Sequence, residues 1–70
     1  MGEHTGMPDK DYDIVSTLYH ALQGADICDK YIADAEKTGD QEAVGFFHEV
    51  QDHNRKLAEK AKDLLAKRVH

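Results

Sequence analysis

The chain reads as all-α: an antiparallel two-helix hairpin that dimerises into a four-helix bundle. Apolar residues recur at alternating steps of four and three along two stretches of nearly equal length, and one Thr-Gly-Asp punctuation separates them. The apolar stripes are also wider than a single partner helix can cover. No segment of comparable length alternates with period two, so no strand is expected.

Residues 1–8 are expected to be a disordered tail, since Pro8 is the only proline and the residues before it carry no periodicity. Helix 1 is expected over about 9–38. Asp9 or Asp11 can cap it, and Asp9, Asp11 and Asp13 suit its positive N-terminal end. Gly24 is the only helix-weakening residue inside it, at about 1 kcal/mol relative to alanine. Its stripe is Ile14, Leu18, Ala21, Ala25, Cys28, Ile32 and Ala35, widened by Val15 and Leu22. The turn is placed at residues 38–40, with Gly39 at the left-handed C′ position and Asp40 as the next N-cap. Helix 2, expected over about 40–68, carries Ala43, Phe47, Val50, Asn54, Leu57, Ala61 and Leu64, widened by Phe46 and Leu65. Each helix is roughly 42 Å long at 1.5 Å per residue. The short turn forces the two to run antiparallel.

Composition agrees. Seventy residues with 33% charged, 40% hydrophobic and a net charge of −5 suit one small globular domain rather than a disordered chain. The single cysteine excludes an internal disulfide. No apolar run approaches the ~20 residues of a membrane span. The N-terminus lacks a signal-peptide core, and Gly6 stands where a myristoylation motif needs Ser or Thr, so a cytoplasmic location is the expectation. Residues 55–70 carry net +4 and residues 1–54 net −9, so folding the hairpin lays the acidic start of helix 1 beside the basic end of helix 2. A core this small rarely supplies more than ~3–5 kcal/mol alone, which favours a homodimer of two hairpins.

Some polar residues fall where apolar ones belong. Projection at about 100° per residue puts Asp29 inside the apolar arc of helix 1 and Asp26 on its edge. The same projection puts Asn54 inside the arc of helix 2 and His53 on its edge. Counted outward from Gly39, Asp29 comes level with residues 49–50 and Asp26 with 52–53. Carboxylates and imidazoles projecting into a four-helix bundle can hold a metal. Asp29 and Asn54 can equally fix register and oligomeric state, as polar residues in helical seams do, and a wide bundle can let Asp29 reach water. His20 and His48 project outward as surface residues. Cys28 reads as a buried, inert thiol. Tyr12, Tyr19 and Tyr31 read as amphipathic packing at the rim, and Ala21, Gly24 and Ala25 as a place for close helix approach. The basic end of helix 2 does not make a nucleic-acid interface credible against the net charge of −5. No phosphate loop, dinucleotide glycine pattern or CxxC is present.

The segments LYHALQGA at 18–25, YIADAEKTGDQE at 31–42 and FFHEVQ at 46–51 resemble the small bacterial two-helix proteins of ferritin-like type. The resemblance covers roughly residues 12–68. It implies a hairpin equivalent to half a ferritin-like bundle, completed by dimerisation. Di-iron members of that class need a Glu on one helix and Glu-x-x-His on the next. Asp29 could stand for the first carboxylate and His53 for the histidine. Val50, however, occupies the place of the bridging Glu, and no Glu-x-x-His occurs in the chain. The resemblance therefore implies the fold more than the chemistry. Two functional expectations follow. One is a small non-enzymatic structural or protein-interaction module acting as a homodimer. The other is a ferritin-like metal-binding or oxidoreductase protein holding iron or another divalent transition metal on Asp29, His53 and Asp26, with Glu49 the weakest ligand because it projects off the seam.

Overall fold

A computed structural model describes residues 9–68 as two helices, α1 over Asp9–Lys37 and α2 over Gln41–Arg68. The expected tail at 1–8 lies outside the described residues. Among the described residues there is no strand, and no helix is long and apolar enough to cross a membrane. The hairpin is a flat slab of 49 × 23 × 13 Å, two helices wide and one thick.

The connection follows from its three residues. The Gly39 N–H donates to the Glu36 carbonyl at 3.1 Å, and the Asp40 N–H to the Ala35 carbonyl at 3.0 Å. These two bonds form a Schellman motif, which satisfies carbonyls that the end of α1 would otherwise leave open. The motif requires a left-handed residue, and Gly39 supplies it with φ of 71°. The Asp40 Oδ1 then accepts from the Ala43 N–H at 3.0 Å, capping α2. One helix is closed and the next opened with no spare residue, so the pair must run antiparallel.

Contacts along the slab confirm that direction. At the open end, Arg68 Nη1 lies 3.3 Å from Asp11 Oδ1, the meeting of basic and acidic ends that the charge distribution foretold. Near the turn, the Tyr31 and Phe47 rings sit with centroids 5.3 Å apart.

The seam between the helices is built from small side chains. The buried residues are Ala21, Ala25, Cys28, Ile32 and Ala35 of α1 and Gln51, Ala58 and Ala61 of α2. On α1 this is the expected stripe, with Ile14 and Leu18 half-buried at its open end. On α2 the expectation needs correction. Leu57 and Leu64 are exposed, at 37% and 40%, while Gln51 and Ala58 take the inner positions. The inward row is Val44, Phe47, Gln51, Asn54, Ala58, Ala61 and Leu65, again at steps of three and four. The helix is thus turned by about half of its 100° per-residue step from the face its largest apolar residues define. Alanine at the contact lets two backbones approach closely, which a leucine there would prevent. The larger side chains are left on the flanks.

Candidate functional site

The inward row of α2 contains one buried polar side chain, Gln51, only 4% exposed. Its Nε2 donates to the Ala25 carbonyl at 2.8 Å and to Asp29 Oδ1 at 2.9 Å. Both protons of the amide are used, and no buried side-chain nitrogen or oxygen among the described residues lacks a partner. A primary amide suits this place because it offers two donors from one nitrogen. The Ala25 carbonyl already belongs to the α1 ladder and presents its second lone pair across the seam.

Asp29 lies at the rim of the seam rather than inside it, as an exposed residue. Its carboxylate needs no buried counter-charge, because water and the Gln51 amide share it. One turn along, Asn54 packs against Gly24 so closely that a Cβ there would lie 2.8 Å from Asn54 Nδ2. Gly24 therefore makes room for a polar side chain of the facing helix, which is the close approach the small residues suggested. Asn54 meets Gly24.

Of the remaining candidate metal ligands, Glu49 and His53 line one open surface pocket of α2 together with Asp52 and Lys56, and Asp26 lies on α1. His53 is exposed rather than at the edge of the seam. It follows Gln51 by two residues, a rotation of about 200°, so it points away from α1 while Gln51 points toward it. Asp26 and Glu49 are exposed as well. No group of three or more His, Cys, Asp or Glu side chains that could hold a metal comes together among the described residues. Cys28 is buried, at 2% exposure, with a free thiol.

Most of the chain's large apolar surface lies outside the seam. Phe46 is 58% exposed, and Ile27, Tyr31, Leu57 and Leu64 are each more than a third exposed, as are Tyr12, Val15, Tyr19 and Leu22. An apolar groove of about 320 Å³ runs along one flank near the open end, between Ile14 and Thr17 of α1 and Leu57 and Leu64 of α2. Sequence reasoning missed Gln51. Its signal was present as a polar residue at the inner step between Phe47 and Asn54, but Val50 beside it made the more hydrophobic stripe. No family model, curated protein or solved structure matches the chain.

Proposed function

We propose that the protein is a non-enzymatic interaction module whose working form is a homodimer, two hairpins stacked into a four-helix bundle. The observation behind this reading is the distribution of apolar bulk. The seam between α1 and α2 buries mainly alanines, while nine large apolar or aromatic side chains among the described residues stand more than a third exposed. Exposed apolar area on that scale marks an interaction surface rather than a finished monomer. A slab one helix thick also has no second layer to form a core against, and layered packing is what stabilises helical domains. The polar pair Gln51–Asp29 fits the same reading, because a satisfied polar group in a helical seam fixes register at some cost in stability.

Concentration tests this directly. If folding includes association, the melting temperature rises with protein concentration by mass action. Circular-dichroism melts at about 1 and 100 μM should differ by several degrees. Coincident melts of a fully helical chain would refute the proposal.

A further inference from the structure

The slab has two broad faces, and they differ in kind. One is defined by Tyr31 against Phe47, by Phe46 edge-on to Phe47, and by the groove that brings Ile14 and Thr17 to the side of Leu57 and Leu64. Ile27 lies one turn from Tyr31 on that side, and Val50 one heptad from Leu57. This face carries large apolar side chains on both helices, with Asp13 and Lys60 beside them in the groove and Asp52, His53 and Lys56 beside Phe46 and Val50. The opposite face is marked by the Gln51–Asp29 bond. Val15 and Leu22 share the row of Asp29 at seven-residue spacing, but the matching row of α2 holds Arg55 and Lys62. That face is apolar on α1 and basic on α2.

Resting on the dimer reading, we propose that the second copy docks on the first face, through Ile27, Tyr31, Phe46, Val50, Leu57 and Leu64. Size permits it, since a face 49 Å long and 23 Å wide offers more than the ~800 Å² per partner of a standard stable interface. Charge favours a copy of the same chain. Asp13 and Asp34 share the row of Ile27 along the α1 edge, and Lys60 and Lys67 share one row along the α2 edge. A two-fold axis that lays α1 of one chain on α2 of the other keeps the open ends level, so Asp13 comes level with the stretch between the partner's Lys60 and the partner's Lys67, while Asp34 stays at the turn end, paired with Lys30 of its own helix. Laying α1 on α1 would instead bring Asp13 level with Asp34 of the partner. An isologous contact requires a surface complementary to itself, and Asp13 against Lys60 and Lys67 supplies that at the open end. The Tyr12–Leu22 side of α1 is then left outward.

The test measures dimer dissociation by sedimentation velocity for the wild type and for Phe46→Glu, Leu57→Glu and Tyr19→Glu, with helicity followed alongside. Phe46→Glu and Leu57→Glu should weaken the dimer at least about tenfold, while Tyr19→Glu leaves it unchanged. Weakening by Tyr19→Glu alone overturns the choice of face and leaves the dimer reading standing. A wild type that stays monomeric overturns both. Because glutamate variants can lose helix along with their partner, the wild type is also cross-linked with a carbodiimide as a mixture of isotope-labelled and unlabelled chains. Inter-chain links from Asp13 to Lys60 or Lys67 are expected. Inter-chain links confined to Asp26, Asp29 and Lys62, or none at all, overturn the proposal.

Discussion

Replacing Gln51 by glutamate changes almost no volume and inverts the chemistry of the seam. The wild-type amide nitrogen donates to the Ala25 carbonyl at 2.8 Å and to Asp29 Oδ1 at 2.9 Å. In Gln51→Glu an ionised oxygen would face two acceptors at those distances, in a position only 4% exposed. Burial and a neighbouring carboxylate both disfavour the charged form, and together they raise a buried carboxyl by up to 3–5 pKa units, each worth about 1.36 kcal/mol. Asp29 remains open to water, which moderates its share, so about 3 kcal/mol is the working figure. For a domain of this size that corresponds to a fall of roughly 10–25 °C in melting temperature. The sign with pH follows from linkage. The folded-state pKa of the new carboxyl is raised, so the penalty is absent below the unfolded value of about 4.3 and complete above the folded value. The assay is a pair of urea titrations, variant against wild type, at pH 7 and near pH 4. The gap between them should be large at pH 7 and should shrink toward pH 4. A variant within about 0.5 kcal/mol of wild type at pH 7 would show that Gln51 does not face buried acceptors.

Four further outcomes follow from the same geometry. Gly39→Ala should cost roughly 1 kcal/mol in a thermal melt, because a left-handed φ is strained for alanine although a Cβ there would touch nothing within 4 Å. Gly39→Asn should cost less. Asp40→Ala should cost about 0.5–2 kcal/mol through loss of the bond from the Ala43 N–H, and melts unchanged for both turn variants would contradict the Schellman closure. Gly24→Ala should gain little alone, because its Cβ displaces Asn54, but should stabilise by about 1 kcal/mol in an Asn54→Ala background, with denaturant titrations closing the double-mutant cycle. Asp29→Leu should cost about 1–3 kcal/mol in thermal melts, because it leaves one proton of the buried Gln51 amide without its acceptor, and Fe(II) or Zn(II) should leave the wild-type melting temperature unmoved; a stoichiometric metal lost in both Asp29→Leu and His53→Ala would establish the metal reading instead.

The hairpin was legible because its signals are local. Gly39 and Asp40 dictate a turn of defined chemistry whatever surrounds them, and the seven-residue spacing of α1 from Ile14 to Ala35 marks one face without competition. On α2 two stripes compete, offset by about half a residue step. Hydrophobicity favours Val50, Leu57 and Leu64, whereas close packing favours Gln51, Ala58 and Leu65. Periodicity identifies that a face exists, but the facing helix decides which stripe meets it, through the room that alanines leave between backbones. Asp29 stands out in the sequence as a polar residue in an apolar arc, yet the Gln51 amide it accepts from could not be named without the rotation of α2. The same rotation explains His53: moving the inner row onto Gln51 carries a residue two positions later to the outside. A polar residue one step from a hydrophobic one is a weak signal in a single sequence, and Gln51 is that case.

Sedimentation equilibrium of the untagged chain bears most directly on the claim that the hairpin is half of a core. The chain mass is 7.9 kDa. At micromolar concentration the fitted mass should be twice that, and dilution should bring down mass and helicity together. A single species at the chain mass that keeps full helicity on dilution would contradict the account.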